Sequence, residues 1–393
     1  MIDPHEILSK AHSLKNWLLQ HRKYLHMHPE LSFKEYETQK YLQQALSDIG
    51  FSDINPLADT GLSTTCNGNS KGPCVALRAD MDALPLQEKK HSLASVNPGI
   101  MHACGHDVHM TCLLGALKIL YEIRPQFTGK VLAIFQPGEE KLPGGAIKVI
   151  KSGIFEKHNP EIIIGQHVMP GQPVGKFGFR PGNYMASTDE IYITIKGNSG
   201  HIAVPSMTQD VVSAASESII NIKKEIESQA GDIPVVIGFG KINANGNTNI
   251  MPPEVCISGT FRTMDENFRK HAKIQMKDIL KQISNNYGTS FDLNIVEGYP
   301  ALTNHPAYTK EAMQYTGELL GKSNIIELDK RMTGEDFAHY AQIMPAIFLR
   351  LGIAGNKSGY ANVHSADFDI DNDALTYGSA VLAWLALKFI KRF

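Results

Sequence analysis

Asp189-Glu-Ile-Tyr-Ile-Thr-Ile-Lys196 is where the texture of the chain changes. Ile191, Ile193 and Ile195 alternate with Tyr192 and Thr194, the period-two pattern of a half-exposed strand. A helix follows with Val212, Ala215, Ile219, Ile222 and Ile226 on one face. Strands are then expected at Val235–Gly240 and at Glu254–Arg262, where Val255, Ile257 and Phe261 share a face. A helix over Glu266–Ser284 and a strand over Phe291–Glu297 complete the set. The order β-α-β-β-α-β is that of a ferredoxin-like unit. Upstream, helical segments over Asp3–Ile49 are interrupted at His28-Pro29-Glu30. Short β-branched strands at Val75–Arg78, Lys130–Gln136 and Ile162–His167 alternate with helices at Met110–Ile123 and Ala146–Lys151. Beyond Tyr299 the alternation resumes with helix Ala307–Leu320, strand Ala346–Leu351 and helix Asp373–Lys391. The fold class expected is α/β: one discontinuous domain (residues 1–186 and 298–393) around a mostly parallel sheet, with an inserted α+β domain (residues 187–297).

A chain of 393 residues has room for such an arrangement and for a core that needs no staples. The net charge of −2 gives no bulk field to recruit nucleic acid or an anionic membrane. No basic tract or aromatic–basic platform is present, so neither partner is expected. No run approaches the roughly 18–20 apolar residues of a membrane span. The N-terminal stretch reads as an amphipathic helix and not as a signal peptide. With five cysteines, Cys66, Cys74, Cys104, Cys112 and Cys256, this points to reduced thiols in the cytoplasm.

The chemistry lies in four places. Met101-His-Ala-Cys-Gly-His-Asp-Val-His109 precedes an apolar helix, and Cys104 and His106 stand two apart, close enough for a loop to aim both at one point. A thiolate with an imidazole suits a borderline-soft divalent ion; a buried cysteine in a polar loop reads the same way. Phe135-Gln-Pro-Gly-Glu-Glu140 follows a strand. Adjacent glutamates are usually solvated, but at a strand end in an α/β fold one can bind metal while the other takes a proton from water. Ile162-Ile-Ile-Gly-Gln-His167 delivers a histidine from a further strand, and His364 precedes the last helix. Either histidine alone would be unremarkable. Together the donors exceed the four of a closed structural zinc site and suit a two-metal centre.

These segments resemble the hallmark motifs of the di-metal aminoacylase family of metallopeptidases. The resemblance rests on Leu77-Arg-Ala-Asp-Met-Asp-Ala-Leu-Pro85, Met-His-Ala-Cys-Gly-His-Asp107 and Gln-Pro-Gly-Glu-Glu140. It is strongest to the branch of hippurate hydrolases, N-acyl-amino-acid amidohydrolases and indole-acetyl-amino-acid hydrolases. It runs from His26-Met-His-Pro-Glu-Leu-Ser-Phe33 through Gly334-Glu-Asp-Phe337 to the His364 region. The resemblance implies five metal ligands: Cys104 as the bridge, His106, Glu140, His167 and His364. Two divalent ions, Zn, Mn or Co, with Ni as a further option, would be bound. Glu139 would be the general base and acid, and Asp82 would orient a ligand. Other branches place a histidine where Asp80 stands. The insert would act as a lid and dimerisation domain of a homodimer. His201, in Lys196-Gly-Asn-Ser-Gly-His-Ile-Ala-Val-Pro205, would reach the scissile carbonyl. Asn249 and Arg262 would hold the substrate carboxylate; a guanidinium is the natural bidentate partner of a carboxylate.

The reaction implied is metal-dependent hydrolysis of the amide bond of a small N-acylated amino acid. A dipeptidase or carbamoyl-amino-acid hydrolase would use the same site. A non-catalytic binding protein is a different reading, against which the unligated Glu139 stands, and Cys104 as a thiol nucleophile is a third. Two positions depart from the family: Gly138, where alanine is commoner, and Arg350, a charge where apolar or small residues are usual. Arg350 would either alter the pocket or be exposed.

Overall fold

In the computed structural model, which describes residues 2–89 and 94–393, the chain forms two compact units. The first comprises Met1–Gly182, Thr303–Asp329 and Asp336–Phe393; the second comprises Asn183–Leu302 and Lys330–Glu335.

The first unit is built on an eight-stranded sheet. Its order is Ile54–Leu57, Gly61–Asn67, Lys130–Gln136, Cys74–Asp80, Ile162–Pro173, Ala346–Ala354, Phe177–Phe179, Ile325–Glu327. The four middle strands are mutually parallel. Antiparallel pairings occur toward both edges, at Gly61–Asn67 on one side and Phe177–Phe179 on the other. Every residue of Cys74–Asp80 and of Ala346–Ala354 is buried, as expected of parallel strands covered on both faces. Helix His106–Ile123 is buried along nearly its whole length and packs on helices Lys15–Met27 and Asp373–Arg392. Contrary to the expectation that no run approaches a membrane span, helix Asp373–Arg392 is long and apolar enough to cross one by length and composition, but its side chains, Leu382, Leu385 and Phe389 among them, lie in the interior of this unit. All five cysteines are free thiols.

Two elements differ from the sequence reading where it matters. The helix expected from Met110 begins at His106, because Gly105, in the left-handed region at φ +81°, turns the chain into it. His106 therefore sits in the first turn of a rigid helix and not in a loop. The strand expected to stop at His167 runs on to Pro173, since its pairing with Ala346–Ala354 continues through His167–Arg350, Val168–Leu351 and Met169–Gly352.

The second unit is a four-stranded antiparallel sheet in the order Val235–Ala244, Glu254–Thr263, Asp189–Lys196, Ser290–Glu297. Helices Val211–Gln229 and Glu266–Tyr287 pack on it, which is the ferredoxin-like arrangement. Ile191, Ile193 and Ile195 face its core with Val255, Ile257 and Phe261. The first helix is rotated slightly from the expected face: Val211 and Ala214 are buried, whereas Val212 is exposed.

Candidate active site

The site begins with a buried arginine. Arg78 Nη1 donates to Asp80 Oδ2 and Nη2 to Asp336 Oδ1, both at 2.7 Å, and Nε donates to Gln136 Oε1 at 2.9 Å. Asp336 also accepts from Gln136 Nε2 (2.7 Å) and from the Ala146 amide (3.0 Å). A network this well satisfied in a low-dielectric interior locks the ends of two neighbouring strands. It fixes where the chain leaves the sheet toward Asp82 on one strand and toward Glu139 on the other.

Asp82 then acts as a hub. Its Oδ1 accepts from the Glu139 amide and its Oδ2 from the Glu140 amide, each at 3.0 Å. Ser32 Oγ donates to Oδ2 at 2.6 Å, and His106 Nδ1 lies 3.3 Å from Oδ1. Burial alone would favour the neutral acid, but the His106 ring, the Ser32 hydroxyl and the Glu140 amide hold the carboxyl below the ordinary aspartate range. One carboxylate thus orients a candidate ligand and the turn carrying both glutamates. Gly138, just before them, has φ +61°, and a Cβ there would run into the Phe33 ring. A glycine at this position relieves both constraints.

The five candidate ligands come together. Cys104 Sγ is 3.4 Å from His167 Nε2; His364 Nε2 is 3.2 Å from Glu140 Oε1, and His106 Nε2 is 3.9 Å from the same oxygen. Ligand atoms of Cys104, His106 and His167 lie within 4.8 Å of one another, and so do those of Cys104, Glu140 and His364. Cys104 belongs to both groups, the position a bridging ligand would occupy. His167 Nδ1 is 2.8 Å from the Val168 carbonyl, which only an N–H can satisfy, so Nε2 is the nitrogen left as a donor of electrons. Glu139 is buried beside this cluster, with Oε2 4.0 Å from His106 Nε2.

The donor set fits divalent cations. His106 Nε2 is buried and makes no hydrogen bond. Burial opposes charge on the His106 ring, yet Asp80, Asp82 and Glu140 override it and raise the ring to about 10. Burial, Glu140 and Glu139 likewise push the Cys104 thiol well up. A field that keeps a proton on an imidazole that far above its ordinary value favours any cation placed there.

Sequence reasoning passed over the layer beneath. His109 Nδ1 is 2.5 Å from Asp80 Oδ1, and its Nε2 accepts from the Val168 amide at 2.9 Å. The amide fixes the tautomer, so His109 donates to Asp80 and braces the backbone next to His167. Its spacing of three from His106 on one helix was the available signal. Asp107 is held by Arg22 Nε (3.0 Å) and His26 Nδ1 (2.8 Å), and His26 Nε2 contacts Glu88 Oε1 at 3.0 Å. Arg350 is 5% exposed, which overturns the alternative that it is a surface residue. It pairs in register with His167, and with burial it keeps that ring well below its ordinary value.

In the second unit, His201 and Asn249 lie on adjoining segments: His201 pairs with Ile250, and the Ile202 amide donates to the Asn249 carbonyl at 3.0 Å. Both side chains are exposed. The Ala203 amide donates to His201 Nδ1 at 3.1 Å, so the neutral ring carries its proton on Nε2, ready to donate. Arg262 is half-buried at the end of its strand, with Nη1 donating to the Met332 carbonyl at 3.2 Å.

An α/β sheet unit with a ferredoxin-like insert, presenting a Cys/His/Glu cluster over a buried aspartate, defines a metallohydrolase class. Residues 76–388 match peptidase family M20/M25/M40, and the chain belongs to that family. It is 35% identical over 387 residues to thermostable carboxypeptidase 2 of Saccharolobus solfataricus, covering 96% of each chain. It is 34% identical over 391 residues to IAA-amino acid hydrolase ILR1-like 2 of Arabidopsis thaliana, covering 98% of this chain and 87% of that one. Among solved structures it resembles Bacillus subtilis YXEP protein, described as a dinuclear metal binding peptidase from the M20 family. The TM-score is 0.84 and the identity 30%, over 97% of this chain and 99% of that one.

Proposed function

We propose that the protein is a metal-dependent amidohydrolase that cleaves N-acylated amino acids, giving a carboxylic acid and the free amino acid. The observation that carries this is the Asp82 hub, which holds the amides of Glu139 and Glu140 at equal distance and so presents one carboxylate to the ligand cluster beside the other. The names of the relatives point the same way. An amino acid conjugate and a peptide with a free C-terminus share one feature, an acylated nitrogen next to a carboxylate.

Cys104, His106, Glu140, His167 and His364 would hold two divalent ions; a thiolate among imidazoles favours Zn or Co, while Glu140 is the one ligand suited to the harder Mn. Such ions supply Lewis acidity to the scissile carbonyl and to water. Glu139 takes the proton of the attacking water and returns it to the departing amine. His201, protonated on Nε2, donates to the carbonyl oxygen as negative charge develops there. Arg262 and Asn249 hold the carboxylate of the amino acid. Exposed Ile202, Val204, Met207 and Ile250 on the insert support self-association through that unit as a homodimer.

The test is amine release from N-acetyl and N-benzoyl amino acids. Dipeptides and carbamoyl amino acids run alongside, and chelator-stripped protein is compared with protein reloaded with Mn²⁺, Co²⁺ or Zn²⁺. Release that needs metal and favours the acyl compounds is expected. Dipeptide turnover alone would favour the carboxypeptidase-like reading that the Saccharolobus relative suggests, and no turnover with any metal would defeat the proposal.

A further inference from the structure

The segment Glu30–Glu35 runs against the turn that carries Glu139 and Glu140. Leu31 bridges to Ala83, the Glu30 carbonyl accepts from the Ala83 amide (2.8 Å), and Ser32 donates to Asp82. Glu35 stands at the N-cap of helix Tyr36–Ile49, where a polar side chain ordinarily caps its own helix. It does not: Glu30 Oε2 accepts from the Thr38 amide at 2.8 Å, and the Glu35 side chain turns away. Fully buried, it accepts from the Gly138 amide through Oε1 at 2.8 Å and from the Thr60 hydroxyl through Oε2. Gly138 is the residue whose left-handed backbone aims Glu139 and Glu140. Keeping a carboxyl there is costly, since burial pushes it up to about 7 against the opposing Thr60 bond, with Asp82 adding to the rise.

We infer that Glu35 is a positioning residue, whose carboxylate fixes the Gly138 peptide while Asp82 fixes the next two amides, so that three successive amides of the Glu139–Glu140 turn are each clamped by a buried carboxylate. The inference rests on the roles proposed above for those two glutamates. Loss of the clamp lets the base drift, and misplacement by about 1 Å costs on the order of 10²-fold in turnover.

The test compares Glu35→Ala, Glu35→Gln and Thr60→Val by kcat and KM, by metal content, and by hydrogen exchange of the amides of residues 138–140. Glu35→Ala should lower kcat about 10²-fold with KM nearly unchanged, and speed exchange at those amides. Glu35→Gln keeps the Oε1 acceptor and should recover most of the loss. Thr60→Val removes the other partner of Glu35, leaves the Gly138 bond, and should exchange and turn over like the wild type. A folded Glu35→Ala protein with wild-type kcat and exchange would overturn the inference. So would Thr60→Val losing as much turnover as Glu35→Ala, since Glu35 would then only support the fold. If the wild type turns over no N-acyl amino acid while Glu35→Ala still exchanges faster, the proposed reaction fails and the clamp stands.

Discussion

At the scale of single residues the site separates two adjacent carboxylates that are chemically identical. Glu140 Oε1 faces His364 at 3.2 Å, while Glu139 is buried beside His106, and Asp82 holds both backbones equally. In the proposed reaction, position alone would divide ligand from base. Replacing Glu139 with Gln keeps the shape and removes the negative charge and with it the ability to take a proton. Turnover should fall by about 10²–10⁴-fold, the usual contribution of a positioned acid–base group, while metal content by elemental analysis stays at the wild-type value. Wild-type turnover in that variant would remove Glu139 from the mechanism. A matched fall in metal content would make it a ligand instead.

At the scale of elements, helices Lys15–Met27 and Tyr36–Ile49 enclose His21. Its Nδ1 lies 2.8 Å from the Tyr41 hydroxyl, and its ring meets Trp17 edge-on with centroids 4.1 Å apart. Burial lowers this ring to about 4, an effect that Lys118 reinforces and Asp48 only partly offsets. The folded state therefore keeps His21 neutral where the unfolded chain, at about 6.5, takes up a proton. Between those two values the unfolded chain binds more protons, so stability falls as pH falls through about 6.5 toward 4. His21→Gln should flatten that part of the profile, read from urea midpoints at pH 7 and pH 5; parallel profiles in both proteins would exclude the effect. The same scale shows what a sequence reveals. The four middle strands were legible because their β-branched runs alternate with helices. The flanking strands Phe177–Phe179 and Ile325–Glu327 were not, since three residues carry no period and exist only through their neighbours. The candidate ligands could be listed because each lies in a motif. The contacts of Glu35 with Gly138 and of His109 with Asp80 could not, because they join residues 103 and 29 positions apart with no local pattern.

At the scale of the whole molecule, the candidate ligands all belong to the first unit, as do both tryptophans, Trp17 and Trp384. The second unit closes its own core around Ile193, Ile257, Met276 and Leu280. Tryptophan fluorescence therefore reports unfolding of the metal-binding unit alone, while far-ultraviolet circular dichroism reports both. A cation that binds only the folded site stabilises it by RT ln(1 + [L]/Kd), about 2.7 kcal/mol at a hundredfold excess over Kd. At about 2–4 °C per kcal/mol for a unit of this size, the fluorescence midpoint of stripped protein should rise by roughly 5–10 °C on adding Mn²⁺, Co²⁺ or Zn²⁺. The circular dichroism curve should then show a component that the metal does not move, because no candidate ligand lies in the second unit. A fluorescence midpoint unmoved by all three ions would mean that the Cys104 cluster, for all its negative field, is not a cation site. A shift of equal size in every part of the dichroism curve would mean that the two units unfold as one cooperative body.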